Sequence, residues 1–466
     1  MIDDEKLKKK QSLKVIISEA IMVLAVVAMV TVLGFIVSGY WVNSDFEVER
    51  QGMLQVSSMP TGADLSVDGE SSWLQRTNTS KIVSAGEHEV KISKEGYDSW
   101  GKKVNVTEGL LYRLHYPRLF LKERVAEKVF DADNCNFATI SPNGRKLLLA
   151  GDTTEWRLVN LNNDKLEDKK IDLSKVLMDK NMSEDVIKTV FDGKIISADW
   201  DRNNDHVLMN IESLGKTEWL LLDVENPKNS LNITREFEAD FGEVVILDDS
   251  SSNLLTLKGG DLQKIDVSGK TISEVLLRDV INFDHYEQDI IYTAKKNSGY
   301  DVGTFRLGDD EPVILKNEIA NPVMVAIYRF YDDMYVAVLD NDTVNTYKKV
   351  DFEHVNEYKL GFVPAKMKVG HAGEFIIMDN GAEIASLDME ANAVREWRVD
   401  GENYGWLDND MIYSVHDGQL IVYDFDGLNR RELSRNVSSH YPVGITENKW
   451  LYYFSDGELM RERIIK

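Results

Sequence analysis

The sequence is poor in cysteine and lacks the short motifs of the common hydrolases. It has one cysteine, Cys135, among 466 residues. A single cysteine excludes an intramolecular disulfide and a cysteine-rich zinc site. No G-x-S-x-G, H-E-x-x-H or G-x-x-x-x-G-K-[ST] pattern occurs, so serine hydrolase, zinc protease and P-loop chemistry lack their usual residues. We therefore predict a protein that is not an enzyme and that is held together by its apolar core.

Basic residues are few relative to acidic ones. The chain has 54 Lys and Arg against 79 Asp and Glu, which gives a formal net charge of −25. Such a surface repels nucleic acid and anionic lipid, so nucleic acid is not a predicted partner. An acidic surface could attract cations or basic partners. The simpler interpretation of the negative charge is a solvated surface that keeps the protein in solution.

A long uncharged run lies near the N-terminus. The 23 residues from Ala20 to Val42 contain no charged side chain, and about 20 apolar residues are enough to cross a bilayer as one helix. A cleaved signal peptide is the alternative. Its apolar core is only about 7–15 residues long and ends at a small-residue site, which Val37–Tyr40 does not match. We predict an uncleaved transmembrane helix.

The charges on either side of this run predict its direction. Five lysines precede it and three acidic residues follow it closely, and lysine and arginine are enriched on the cytoplasmic side of membrane helices. The prediction is a single-pass protein of the cell membrane with a cytoplasmic N-terminus and an extracytoplasmic C-terminal part. Because exported eukaryotic proteins commonly carry disulfides, the cysteine content favours a bacterial cell envelope.

Short segments of alternating apolar and polar residues follow the run. They are Leu54–Val56, Asp64–Val67, His88–Ile92 and Lys103–Val106. A period of two predicts antiparallel strands with one buried face. Asp68-Gly69 follows the second segment and predicts a type I′ turn, because both central residues of that turn need a positive φ. The interpretation is a small all-β sandwich.

Four blocks in this part of the chain resemble one family. They are Val56–Ala63, Leu65–Gly69, Gly86–Ile92 and Lys94–Tyr97, followed by Trp100. In this order and spacing the blocks resemble the PEGA domain, with Thr61 where the tetrapeptide that names the family has Glu. The resemblance implies an extracytoplasmic β-sandwich found beside surface-exposed repeats, a role in cell-wall attachment or adhesion, and no enzymatic activity.

Three aromatic residues of this module are candidate ligand contacts. Trp73, Tyr97 and Trp100 would form a platform for sugars, because aromatic faces pack on apolar surfaces. The alternative is that the three rings belong to the core of the sandwich.

From Phe137 onward one unit recurs roughly every 40 residues. Each copy has an alternating strand, a polar turn, a strongly apolar strand and a further strand that ends near an Asp. The copies begin near residues 137, 196, 239, 280, 324, 364, 401 and 440. This period is typical of four-stranded propeller blades, so we predict eight blades, with seven as the alternative. The turn Ser141–Gly144 resembles those of TolB-like and WD40-like propellers.

Two further segments have a predicted place in the ring. The last copy has no outer strand of its own, whereas Arg124–Phe130 precedes the first copy. We predict that this segment completes the last blade, because a closed ring leaves no exposed edge between blades. Asp172–Lys188 has apolar residues at helical spacing and is predicted to be a loop insertion with a short helix.

Clusters of Asp and Asn contain the oxygen ligands that calcium prefers. They are Asn160–Asp168, Asp201–Asp205 and Asp340–Asp342. None matches the calcium-loop pattern D-x-[DN]-x-[DN]-G, so we interpret them as turns between strands and predict no cofactor.

The sequence therefore predicts a cytoplasmic tail (1–19), a transmembrane helix (20–42), a linker (43–51), a PEGA-like β-sandwich (52–121) and a β-propeller (122–466). We expect a non-enzymatic envelope protein that presents its propeller to a protein or a cell-wall polymer. The alternative is a propeller hydrolase of extracellular glycan, which needs two carboxylates about 5–10 Å apart at the axial channel.

Overall fold

The computed structural model describes residues 17, 19–34, 40–42, 48–132, 135–151, 155–161, 166–172, 194–213, 216–247, 251–370, 373–401, 403–446 and 449–466. They belong to two compact units, Met1–Phe120 and Leu121–Lys466. Strands make up nearly all of the regular structure, which confirms the all-β prediction. The predicted helix within Asp172–Lys188 lies outside the described residues, apart from Asp172 at the end of a strand.

The first unit contains eight strands in two four-stranded sheets. In chain order they are β1 (Tyr40–Val42), β2 (Val48–Val56), β3 (Asp64–Val67), β4 (Glu70–Arg76), β5 (Thr79–Ser84), β6 (Gly86–Ser93), β7 (Trp100–Val106) and β8 (Leu111–Leu114). One sheet contains β1, β2, β5 and β8, and the other has the order β4-β3-β6-β7.

The last residues of the uncharged run, Tyr40–Val42, form a strand and not the end of the predicted helix. Residue 17 and residues 19–34 are helical, and their side chains are exposed. Among the described residues, no helix combines the length and apolar character needed to cross a membrane. The prediction of a helix as far as Val42 is wrong, because β1 pairs with β2 with Val42 opposite Val48. Aromatic and β-branched residues favour strands, and Val48 also begins β2 inside the predicted linker.

The two sheets of the first unit share one apolar core. On β2, Leu54 and Val56 are buried while Met53 and Gln55 are exposed, as the alternation of side chains across a strand requires. Gly52 lets β2 pack closely against β7 of the other sheet, because a Cβ at this position would lie 2.5 Å from Val106 Cγ1. Two antiparallel-rich sheets around one apolar core confirm the predicted small all-β sandwich.

The Asp68-Gly69 turn joins β3 and β4, and both residues have a positive φ, of 53° and 81°. The Asp68 carboxylate accepts a hydrogen bond from Glu89 N at 2.8 Å, and its other oxygen lies 2.6 Å from His88 Nδ1. The hydrogen bond with His88 lowers the pKa of Asp68 most, and the hydrogen bond from Glu89 N lowers it further. The turn is therefore tied to β6 as well as to its own hairpin.

The second unit is a succession of eight four-stranded sheets. Its strands are β9 (Ala126–Asp131); β10 (Cys135–Ile140), β11 (Lys146–Gly151), β12 (Glu155–Asn160) and β13 (Glu167–Asp172) of the first sheet; β14 (Lys194–Trp200), β15 (His206–Ser213), β16 (Lys216–Asp223) and β17 (Leu231–Asn232) of the second; β18 (Glu243–Ile246), β19 (Asn253–Lys258), β20 (Asp261–Asp266) and β21 (Thr271–Ile272) of the third; β22 (Val280–Tyr286), β23 (Asp289–Lys296), β24 (Gly299–Arg306) and β25 (Val313–Ile319) of the fourth; β26 (Met324–Phe330), β27 (Asp333–Asp340), β28 (Thr343–Lys348) and β29 (His354–Lys359) of the fifth; β30 (Lys366–Val369), β31 (Phe375–Asp379), β32 (Glu383–Asp388) and β33 (Ala393–Arg398) of the sixth; β34 (Asn403–Trp406), β35 (Met411–His416), β36 (Gln419–Asp424) and β37 (Arg431–Ser434) of the seventh; and β38 (Gly444–Thr446), β39 (Trp450–Ser455) and β40 (Glu458–Arg463), which with β9 form the eighth. A 3-10 turn (Pro227–Asn229) and a one-turn helix (Ile233–Glu236) flank β17.

The first strand of each sheet starts within four residues of a predicted repeat start, and there are eight such sheets. The two middle strands of each sheet are the most apolar, because they are covered by neighbouring sheets on both faces. Among the described residues, a buried apolar cluster joins each of seven pairs of neighbouring sheets, including the eighth with the first. Between the seventh and eighth sheets, Ser434 Oγ of β37 donates to Glu462 Oε1 of β40 at 2.7 Å. The sheets therefore form a closed, propeller-like ring.

The predicted closing strand is observed. β9 pairs antiparallel with β40, so the segment before the first sheet completes the eighth. Just before β9, Arg124 Nη2 donates to Leu433 O at 2.9 Å, and Arg124 Nε lies 3.6 Å from Glu462 Oε2. Glu462 also accepts hydrogen bonds from Ser434 Oγ at 2.7 Å and Tyr453 Oη at 2.6 Å. These contacts, which we call the Arg124 clamp, hold the seventh and eighth sheets together.

Candidate functional site

Two of the three aromatic residues predicted as ligand contacts are buried. Trp100 is 1% exposed and Tyr97 is 7% exposed, so neither ring offers a face to a sugar. Trp100 packs edge-on against Tyr116, with 6.0 Å between the ring centroids. These two residues belong to the sandwich core, the alternative interpretation of the sequence. Trp73 is part of β4, and its side chain lies outside the described residues.

The first strands of the ring's sheets bring charged side chains toward its axis. Asp199 is on β14 of the second sheet, Glu243 on β18 of the third and Lys368 on β30 of the sixth, and all three side chains are exposed. In a ring of eight sheets, the second and the sixth are opposite each other. We call these three residues the axial cluster.

The pKa values of the axial carboxyl groups show that they are electrostatically coupled. Burial raises the pKa of Asp199, and the positive charge of Lys368 partly opposes that rise. Burial also raises the pKa of Glu243, and the negative charge of Asp199 adds to it. A carboxyl group that is both exposed and poorly hydrated fits a narrow opening, because protein surrounds it while solvent still reaches it.

Side chains of β22, the first strand of the fourth sheet, form hydrogen bonds with the first strands of the two neighbouring sheets. Asp284 Oδ2 accepts a hydrogen bond from Ile327 N of β26 at 2.9 Å, and burial raises the pKa of Asp284 to about 6. His285 Nε2 donates to Ile246 O of β18 at 2.8 Å, and burial lowers the pKa of His285. These side chains connect the third, fourth and fifth sheets.

The clusters considered for calcium serve as turns where they are described. Asp201 Oδ1 accepts hydrogen bonds from Asp205 N at 2.8 Å and His206 N at 3.0 Å, which closes the loop between β14 and β15. Asp340–Asp342 spans the end of β27 and the turn to β28, where Asn341 has a φ of 55°. Part of Asn160–Asp168 lies outside the described residues. In the parts of the chain that the structure describes, no group of three or more His, Cys, Asp or Glu is arranged to hold a metal ion.

Sequence reasoning did not identify the axial cluster. Asp199 immediately precedes the Trp200-Asp201 pair, and Glu243 and Lys368 lie near the starts of their repeats. The repeat register alone places these residues on first strands. Selecting them would have required aligning the eight first strands and looking for charged positions on each.

Comparison with known proteins identifies one domain. Residues 51–118 match the PEGA domain. No curated protein matches the chain significantly.

Solved structures with a propeller-like fold are similar to this chain at low identity. Hsv2p of Kluyveromyces lactis is 13% identical with a TM-score of 0.42, and the match covers 65% of this chain and 99% of that chain. The dihydro-heme d1 dehydrogenase NirN is 11% identical with a TM-score of 0.41, and the match covers 67% of this chain and 73% of that chain. The chain thus combines a match to the PEGA domain at residues 51–118 with a propeller-like ring of eight sheets.

Proposed function

We propose that this is a non-enzymatic protein of a bacterial cell envelope, anchored in the membrane by its uncharged run and using its ring to bind a protein or a cell-wall polymer. The observation that carries the proposal is the order of the parts in one chain: the uncharged run, the PEGA match and the closed ring. A closed ring is a rigid platform whose inner strands and connecting loops present binding residues.

The proposed anchor consists of the uncharged residues that precede β1. Ala20 to Gly39 provide 20 residues, and about 20 are needed to cross the hydrocarbon core. The helical residues 19–34 expose apolar side chains on all sides, and Thr31 Oγ1 donates to Val27 O at 2.8 Å within the helix. Such a helix needs an apolar environment. The five preceding lysines favour a cytoplasmic N-terminus.

The axial cluster is the proposed binding site of the ring. Two carboxylates opposite one lysine offer both acceptors and donors to a ligand with hydroxyl, amide or ammonium groups. Their incomplete hydration makes each hydrogen bond to a ligand stronger than it would be on an open surface.

The test is capture of envelope components by the detergent-solubilised full chain. The double variant Asp199→Asn with Glu243→Gln should lose most of the captured material. A matched control changes two exposed carboxylates of the outer strand β13, Glu167→Gln with Asp168→Asn, and should capture as much as the wild type. If neither protein nor glycan is retained by the wild type, the proposal fails.

The axial carboxyl groups also favour a second candidate, a glycan hydrolase. Glycoside hydrolysis uses one protonated and one ionised carboxyl group, and the charge of Asp199 favours the protonated form of Glu243. Burial raises the pKa of both groups, and only that of Glu243 is raised further by a neighbouring negative charge, so we assign Glu243 as the general acid and Asp199 as the base or nucleophile. Release of reducing ends from purified cell-wall glycan, abolished by Glu243→Gln, would establish this activity. Binding without release would leave the non-enzymatic function.

A further inference from the structure

One face of the first unit carries a cluster of exposed apolar side chains. On the outer face of the sheet formed by β2, β5 and β8, Met53 lies directly opposite Ile82, and their side chains are 41% and 53% exposed. Leu110, which is 61% exposed, precedes β8, and its carbonyl accepts a hydrogen bond from Met53 N at 2.9 Å. In the described part of the first unit, the large exposed apolar side chains outside the helical residues are these three and Met59.

The described side chains of this face include no carboxylate. By strand register, the positions with described side chains are Gln51, Met53, Gln55, Ser80, Ile82, Ser84, Leu111 and Arg113. Glu49 of β2 has the same register, and its side chain lies outside the described residues. Arg113 is the one charged residue among these eight, in a chain with a net charge of −25. At its margin Glu108 is paired with Arg50, with 2.5 Å between Oε1 and Nη1. We call this surface the uncharged face.

The outer face of the other sheet is different. It carries exposed charged residues, among them Glu87 and Lys103, whose Oε1 and Nζ atoms are 2.8 Å apart, and Glu89 and Lys91 with the same separation. The outer face of one sheet of the sandwich is therefore rich in ion pairs, and the outer face of the other combines uncharged polar side chains with exposed Met53, Ile82 and Leu110. A difference of this kind within one small domain marks an interaction surface.

We propose that the uncharged face lies against the surface of the membrane that holds the uncharged run. This inference depends on the proposed membrane anchor. β1 is a strand of the same sheet, paired with β2, and only residues 35–39 separate it from helical residue 34. Even fully extended, the six steps from residue 34 to residue 40 span about 21 Å. The sheet is thus tethered close to the point where the chain leaves the bilayer.

The chemistry of the face fits the boundary between headgroups and acyl chains. Met, Ile and Leu side chains gain free energy when they leave water for that boundary. Carboxylates on this side would be repelled by anionic lipids, and none occupies the eight positions whose side chains are described. The charged face of the other sheet would then point toward water.

The test measures the environment of spin labels on the full chain reconstituted into vesicles of phosphatidylcholine and phosphatidylglycerol. In a Cys135→Ser background, single labels are placed by Ile82→Cys on the uncharged face, Asn105→Cys on the exposed side of β7 and Leu33→Cys in the run. Collision rates with oxygen, which concentrates in lipid, and with a water-soluble nickel chelate report the position of each label.

We expect the Ile82 label to lose access to the chelate relative to the Asn105 label, and the Leu33 label to collide mainly with oxygen. Equal aqueous access at Ile82 and Asn105, with Leu33 in lipid, overturns the inference and leaves the anchor standing. Aqueous access at Leu33 overturns both. Dipolar broadening at Ile82 that disappears on dilution with unlabelled chain shows a second copy on the face and also overturns the inference.

Discussion

The contacts that hold the sandwich and the ring together join residues at very different separations along the chain. The sandwich packs two sheets face to face within residues 40–114, and its longest strand pairing, β2 with β8, joins residues only 58 positions apart. The ring closes only when β9 pairs with β40 and Arg124 reaches Leu433, 309 residues away. Closing so long a loop costs conformational entropy before any contact offsets it. We infer that the sandwich depends on its local core and that the ring depends on its closure.

Replacing the largest buried side chain of the sandwich tests the first half of this comparison. Trp100→Ala should destabilise the first unit by about 3–5 kcal/mol, because it removes a fully buried aromatic ring and leaves a cavity. Hydrogen exchange of the full chain measures each unit separately. We expect faster exchange in β6 and β7 and unchanged exchange in β10–β37. Trp100→Phe should lose much less protection, and equal effects of the two variants would argue against a packing role.

Breaking the Arg124 clamp tests the second half. Arg124→Ala should destabilise the ring by about 3 kcal/mol, the low end for a broken buried ion pair, because Ser434 and Tyr453 still donate to Glu462. Exchange should increase first in β9, β37 and β40. The nearby exposed Lys122→Ala is the control and should have no effect. Uniform loss of protection across all eight sheets would show that the ring unfolds as one unit rather than opening at its closure.

A smaller change in the sandwich separates sheet spacing from core volume. Gly52→Ala places a Cβ against Val106 Cγ1 and Thr107 O, at 2.5 and 2.6 Å, so β2 and β7 must move apart. We expect a loss of about 2 kcal/mol, as for other overpacked sites. Gly101→Ala in the same sandwich meets its nearest atom at 3.5 Å and should be tolerated. Equal thermal stability of the two variants would contradict this account.

The sequence predicted local elements well and side-chain convergence poorly. Repeat spacing located the eight first strands and the closing strand β9, because alternation and turns are local signals. The same approach failed at Tyr40–Val42, since an uncharged aromatic run suits a membrane helix and a strand equally. It also missed the Arg124 clamp and the axial cluster, which join residues from distant sheets. Their meeting depends on the ring's closure, which no local pattern describes.

The smallest expected effect concerns pH and should appear only in the ring. His206 Nδ1 lies 3.0 Å from Asp201 Oδ2, and this hydrogen bond raises the pKa of His206 against the opposing effect of burial. Burial works to raise the pKa of Asp201, but hydrogen bonds from the His206 side chain and from His206 N and Asp205 N outweigh it, and the pKa of Asp201 is lowered.

A raised histidine pKa means that the folded chain binds the proton more tightly than the unfolded chain does. The contribution of His206 is therefore complete below its unfolded pKa of about 6.5 and is lost as the pH rises through the folded value. The contribution of Asp201 is complete above its unfolded pKa of about 3.9 and is lost as the pH falls through the folded value. Between about pH 4 and 6.5 both contribute fully. After correction for intrinsic rates, exchange in β14 and β15 should increase from pH 6 to 8, and His206→Gln should remove that dependence. The Gln side chain does not titrate, so a pH dependence that persists in the His206→Gln variant would have to come from other groups.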